Sequence, residues 1–168
     1  MNKKIKNKME ILIIGSSNTD MVVYTWELPI PGETVLGGKF MMNAGGKGAN
    51  QAVAAARLGG SVGLIAKLGN DLFGKQTITK LQQEDINTDY LLIDPVNRSG
   101  VALINVDRKG ENTIVVASGA NMTITTEEIV QLKAAISQAS IILMQLEIPL
   151  SVVKAAAKIA FELAGLKR

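Results

Sequence analysis

Four consecutive apolar residues, Ile11 to Ile14, follow Glu10 and stop at Gly15. So short a run with no polar position predicts a strand buried on both faces, as in the middle of a parallel sheet. Polar Ser16-Ser17-Asn18-Thr19-Asp20 begins at its C-terminal end. Two β-rich segments follow, Met21 to Glu27 and Thr34 to Met42, and between them Leu28-Pro29-Ile30-Pro31-Gly32 predicts the turn of a hairpin. This hairpin interrupts the strand–helix alternation, so it reads as a flap or edge. From about Lys47 to Leu58 the chain becomes alanine-rich and helical, and Gly59-Gly60 is its stop. Ser61 to Leu68 predicts the next strand. A helix from about Leu72 to Glu84 places Phe73, Thr77 and Leu81 on one face, with Asn70 or Asp71 as its cap. Tyr90 to Asp94 is a short strand ended by Pro95. A second hairpin joins Gly100–Val106 to Asn112–Ala117 through Asp107-Arg108-Lys109-Gly110. Thr125 and Glu128 form a capping box for a helix to about Gln138 that turns Ile129, Leu132 and Ile136 inward. Ser140 to Leu146 predicts another buried strand, and Pro149 opens a last helix with Lys154, Lys158 and Glu162 on its solvent face. A helix after a parallel strand exists to cross over to the next strand, yet none follows before Arg168. The pattern therefore predicts the front part of a longer α/β domain.

Composition narrows the chemistry. At 168 residues and 47% hydrophobic, the chain has the size and the apolar content of one domain with a substantial core. It has no cysteine, which excludes disulfides and thiolate metal sites and fits a reducing compartment. It has no histidine, which excludes Ser-His and Cys-His catalysis and the commonest transition-metal ligand. The formal charge of +3 comes entirely from Lys3, Lys4, Lys6 and Lys8 against Glu10; 14 basic and 14 acidic residues remain beyond them. Residues 1–9 accordingly read as a solvated, disordered basic leader, without the aromatic interleaving of a nucleic-acid-binding arm. The apolar run at Ile11 to Ile14 is shorter than the ~7–15 residues of a signal-peptide core. No stretch approaches the ~18 apolar residues of a membrane span. The expectation is a cytoplasmic protein with neither nucleic acid nor membrane as partner, and with a folded domain over residues 10–168.

The candidate chemistry begins at Asn43 to Gly60. Gly45, Gly46 and Gly48 let a ligand approach the main chain. The helix start that follows carries unpaired amides and a partial positive charge. Lys47 adds a full charge, and Asn50 adds a two-way hydrogen-bonding group one turn in. The run is not a Walker loop, since Met41 and Gly48 stand where a glycine and a Ser or Thr belong. Nor is it a dinucleotide fingerprint, since Ala49, Asn50 and Gln51 follow its last glycine. It is either a site for a polar or anionic small molecule or a tight strand-to-helix turn. Asn18 and Asp20, two apart in extended backbone, point to one side and can hold vicinal hydroxyls, or they can close an Asx-type turn. Glu147, emerging where an apolar strand stops, belongs either to the same sheet edge or to the first turn of the last helix.

Several segments together resemble the ribokinase branch of the sugar-kinase family that includes fructokinases and adenosine kinases. They are Gly15 to Asp20, Pro31-Gly32-Glu33-Thr34, Gly45 to Ala54, Ser118-Gly119-Ala120-Asn121 and Leu143 to Glu147. Gly-Gly-Lys-Gly-Ala-Asn-Gln looks like the first signature of that family. The resemblance covers residues 9 to about 161 and matches only the N-terminal half, or slightly more, of a ribokinase. It implies a three-layer α/β/α, Rossmann-like domain with a β-lid built from hairpins at about 20–43 and 99–117, covering the sugar and forming a homodimer contact. Carried over by position, it implies that Asn18 and Asp20 hold the hydroxyls of D-ribose, that Gly46, Lys47, Gly48 and Asn50 line the pocket, and that Glu147 adds a polar contact. The catalytic run Asp-Thr-x-Gly-Ala-Gly-Asp of the family occurs nowhere in this chain. With it are missing the general base, the anion hole and, by the same resemblance, the main sites for ATP, Mg2+ and a monovalent K+. The expectation is the sugar-binding half of an ATP-dependent kinase making ribose 5-phosphate, truncated and inactive alone, with no catalytic and no metal-binding residue of its own. The alternatives are a non-catalytic pentose-binding or lid-mediated dimerisation module, and an unstable remnant with an open strand edge.

Overall fold

The computed structural model describes residues 9–165. Its strands are β1 (Ile11–Ile14), β2 (Asn18–Tyr24), β3 (Phe40–Gly45), β4 (Val62–Ile65), β5 (Lys67–Gly69), β6 (Leu92–Asp94), β7 (Gly100–Val106), β8 (Asn112–Ala117) and β9 (Ile141–Met144). Its helices are α1 (Lys47–Arg57), α2 (Leu72–Gln83), α3 (Thr126–Gln131), α4 (Lys133–Gln138) and α5 (Leu150–Gly165), with a 3-10 turn over Gly119–Thr123.

The apolar run at β1 is the centre of a parallel sheet in the order β4-β1-β9. Ile11 aligns with both Val62 and Ile141, and Ile14 with both Ile65 and Met144, so all three strands end at one edge. Alternate β1 residues feed two cores. Leu12 and Ile14 pack with Ile129, Ile136, Val152, Ala156 and Ile159 on the α3–α5 side. Ile13 packs with Ala49, Ala52, Leu64 and Leu81 on the α1–α2 side. This is the three-layer α/β/α arrangement, and it explains why β1 carries no polar position.

The two hairpins form, but they join into one sheet. Parallel pairing of β2 with β7 gives the order β3-β2-β7-β8, which stands off the main sheet as a lid. The second hairpin has the expected strands and turn. The first departs from expectation: β3 starts at Phe40 rather than Thr34, and residues 25–39 form a long connection. Gly37 and Gly38 interrupt the strand pattern there, and ladder pairing is taken up by Tyr24 N–H donating to the Lys39 carbonyl, 2.9 Å.

Three other expectations are corrected. Ser61–Leu68 is two strands, because after Ile65 the chain leaves the main sheet and β5 pairs with β6 instead. The helix expected to run to Gln138 breaks at Leu132 into α3 and α4. Leu132 nevertheless packs partly buried against the core. The strand at β9 is half exposed rather than buried, with Ile141 at 51% and Leu143 at 38%, because it is the edge of the main sheet. The basic leader lies, up to Lys8, outside the described residues. Met9, assigned to it from sequence, is buried in the core.

Polar anchors fix the base of the lid. Asp71 caps α2 through the Gly74 N–H and also accepts from Ser99 N–H and Oγ at 2.8 Å each, just before β7. The buried Asp94 accepts from Thr123 Oγ1 at 2.6 Å, from the Val96 and Asn97 N–H groups, and from Asn97 Nδ2. Those hydrogen bonds hold its carboxyl well below the ordinary aspartate range. Lys67 joins Glu128 Oε1 at 2.7 Å and the Thr123 carbonyl at 3.1 Å.

Candidate functional site

The site grows from the shared C-terminal edge of β1 and β9. Past Gly15 the chain must turn into β2, and α1 must approach from the other side. Gly48 makes this close approach tolerable, since a Cβ there would lie 2.7 Å from the Gly15 carbonyl carbon and from the Ser16 oxygen. Gly46, at φ 90°, supplies the left-handed corner that enters the helix. α1 has no side-chain cap of its own. Its first amides are satisfied across the fold. Ala49 N–H donates to the Ser16 carbonyl at 2.9 Å, Gly48 N–H to Ser16 Oγ at 3.4 Å, and Lys47 N–H to Glu147 Oε2 at 3.2 Å. The helix start is thus closed by the protein's own oxygens, where the sequence predicts amides open to a ligand.

Glu147 sits at the centre. Ser16 Oγ donates to its Oε2 at 2.6 Å, and the Lys47 ammonium pairs with its Oε1. Its carboxylate therefore meets the positive end of α1 rather than the first turn of α5. Burial alone would raise the Glu147 pKa; hydrogen bonds from Lys47 and Ser16 outweigh it and hold the group below the usual glutamate range. Asp20 shows the opposite balance. Its carboxylate packs against Gly45, where a Cβ would run into it. Burial and, secondarily, the Glu147 charge push its pKa up.

Asn18 and Asp20 both lie on β2, in extended backbone, opposite Gly45 and Asn43 of β3. The Asx-type turn is not what forms. Asn18 Oδ1 instead accepts from Asn121 Nδ2 at 2.7 Å. Among the residues expected from sequence, Asn18, Asp20, Gly46, Lys47, Gly48 and Glu147 gather at this edge. Asn50 is exposed and borders a different depression, between α1 and α2, together with Arg57 and Glu84. Residues not singled out from sequence are Ser16, Asn121 and Gln145. Gln145 Oε1 accepts from Ser16 N–H at 3.4 Å. The buried Asn121 accepts from Ser17 N–H at 2.8 Å. Two serines after an apolar strand and an asparagine after Ser118-Gly119 were the available signals, but their partners lie about a hundred residues away.

Chemically the edge offers one carboxylate without a hydrogen-bond donor, one paired carboxylate, an ammonium and amide donors, a set suited to hydroxyl groups. Among the described residues no three metal-ligating side chains converge, and no helix is long and apolar enough to cross a membrane.

Comparison with known proteins places these features in context. A family model described as pfkB family carbohydrate kinase matches residues 8–164. A ribokinase of Haemophilus influenzae is 43% identical over 150 residues, which cover 89% of this chain and 49% of the relative. A deoxyribokinase of Salmonella typhi is 40% identical over 145 residues, covering 86% and 47%. The solved structure of Arabidopsis thaliana ribokinase complexed with ribose and ATP superposes with a TM-score of 0.81 at 30% identity, covering 92% of this chain and 51% of that one. The chain spans about half the length of the curated relatives it matches.

Proposed function

The chain belongs to the pfkB family of carbohydrate kinases, and from that premise we propose that it is the sugar-binding half of an ATP-dependent, ribokinase-type enzyme that converts D-ribose to ribose 5-phosphate. The observation that carries this reading is the gathering of Asn18 and Asp20, on the lid strand β2, with Lys47 and Glu147 where the base of the lid meets the C-terminal edge of the main sheet. Asp20, with no hydrogen-bond donor of its own among the described residues, accepts from sugar hydroxyls. Asn18 donates to them. Lys47 and Glu147 form the polar floor, and Gly46 and Gly48 keep side chains out of the way. Asn50 reaches this pocket only if its side chain turns from the α1–α2 depression.

The solved structure of Arabidopsis thaliana ribokinase is complexed with ribose and ATP. In this chain the α1 amides are already bonded to Ser16 and Glu147, and no described cluster fits a metal ion. The residues present therefore do not form a triphosphate cradle. We assign ATP, Mg2+ and K+ to the half of the family fold that lies outside this chain, and we propose that the chain alone does not turn over. Ribose-dependent ADP formation by the purified 168-residue chain tests this. Background rates with measurable ribose binding by calorimetry fit the proposal. Clear turnover abolished by Asp20→Ala would show that a residue in this half replaces the missing base.

A second reading rests on the lid. One face of the lid exposes Leu103 of β7 and its cross-strand partner Val115 of β8, each at least half accessible. We propose that this face forms a homodimer contact, as a pentose-binding or dimerisation module would require without any chemistry.

A further inference from the structure

We propose that Asn121 is a positioning residue that locks the Asn18 amide with its NH2 toward the cleft, so that a donor stands beside the Asp20 acceptor; this rests on the sugar-binding reading above. Both amide orientations follow from backbone groups, whose donors and acceptors are unambiguous. The Ser17 N–H points at one terminal atom of Asn121 at 2.8 Å, so that atom is the oxygen. The other terminal atom faces the carbonyls of Ser17 at 3.1 Å and Ser118 at 3.0 Å, so it is the nitrogen. That nitrogen also lies 2.7 Å from Asn18, and a donor there requires the Asn18 oxygen to face it. The Asn18 NH2 group must then point the other way.

Its surroundings agree. The only buried, unpartnered side-chain polar atoms among the described residues are Ser17 Oγ and Thr25 Oγ1. Asn18 Nδ2 makes no hydrogen bond among those residues, so it retains access to solvent. Gly100 is aligned with Asn18 across the β2–β7 pair, and a Cβ at that position would run into both amides where they meet. Asn121 itself is fully buried and supplies no surface to a ligand. Its effect on binding runs through Asn18. A vicinal diol fits the result, one hydroxyl accepting from Asn18 and its neighbour donating to Asp20.

Side-chain amide hydrogen exchange, resolved by 15N NMR on the 168-residue chain with and without D-ribose, tests the assignment. Without sugar, the Asn121 NH2 should exchange at least about tenfold more slowly than the Asn18 NH2. Equal protection of Asn18 would overturn the proposal. With saturating ribose the Asn18 NH2 should slow. If ribose changes nothing while the sugar-free difference stands, the orientation holds and the sugar-binding reading fails. Asn121→Asp removes the donor and offers an acceptor, so Asn18 should turn its NH2 inward. Its protection should rise while ribose affinity falls by about tenfold. A merely structural role would not raise that protection. Should the variant fail to fold, the wild-type exchange comparison still decides.

Discussion

Asp20 and Glu147 acquire opposite tendencies because one has donors and the other does not. Asp20 is pushed up by burial and by the Glu147 charge, so the native carboxyl holds its proton more tightly than the unfolded one. Its contribution to stability is therefore lost as pH rises from the ordinary value of 3.8 through the native pKa. A hydroxyl donating to the carboxylate reverses this by favouring the charged form. Ribose affinity should then increase with pH across the same window. Asp20→Asn should flatten the profile, weaken binding by at least about tenfold and slightly raise the melting temperature of the sugar-free chain at neutral pH. Calorimetric titrations at several pH values and thermal melts check both halves. Asp94 carries the opposite sign. Its pKa is depressed chiefly by the Thr123 and Asn97 hydrogen bonds, so its stabilisation is present above 3.8 and is lost as pH falls. Asp94→Ala should cost about 2–3 kcal/mol at neutral pH and reduce the acid sensitivity of the melting temperature. Legibility divides along the same line. Asn18, Asp20 and Glu147 could be placed from local spacing and strand ends. Asn121 and Ser16 could not, because their roles depend on partners 103 and 131 residues away.

Local chemistry made most elements readable, and its failures share one cause. Thr125 and Glu128 do form a capping box, Asp71 does cap α2, and Gly59-Gly60 does close α1, donating to the Ala56 and Ala55 carbonyls. Each signal lies within a few residues of the structure it specifies. The long connection over residues 25–39, the break at Ala66 and the merging of two hairpins depend instead on which sheet a strand joins, a choice made by distant pairings. The start of α1 is the most instructive case. Glycine there reads as room for a ligand, yet the room is filled by Ser16. Gly48→Ala should consequently be far worse than its helix propensity suggests. The new methyl would meet backbone atoms of Gly15 and Ser16 at 2.7–2.8 Å, and backbone cannot swing aside. A destabilisation of roughly 3 kcal/mol, or a drop of roughly 10 °C in melting temperature, is expected by calorimetry. An alanine substitution at exposed Gly59 would be strained only by its positive φ, and should cost about 1 kcal/mol.

At the scale of the whole molecule, two apolar surfaces are left uncovered and they predict different assemblies. The main sheet stops at β9, whose outer edge pairs with no described strand while Ile141 and Leu143 stand partly open beside it. A free parallel edge that pairs with a different edge of the next copy makes a heterologous contact with no built-in closure, and so favours open-ended association. The lid instead presents Leu103 and its cross-strand partner Val115, both exposed, on one bounded face of a four-stranded sheet. A surface of that kind meeting its own copy about a two-fold axis closes at the dimer. Sedimentation velocity over a range of concentrations should therefore resolve a discrete dimer together with larger species. Leu143→Lys puts a charge beside the open edge and should remove the larger species while leaving the dimer. Val115→Lys should remove the dimer and leave the larger species. Both variants replace exposed side chains, so cooperative melting near the parent temperature is expected and separates loss of association from loss of fold. If Val115→Lys alone dissolved every assembly, the lid would account for all self-association and the β9 edge would be protected in solution. If neither substitution had an effect, both surfaces would be excluded as interfaces, and the lid-mediated dimer would fall with them.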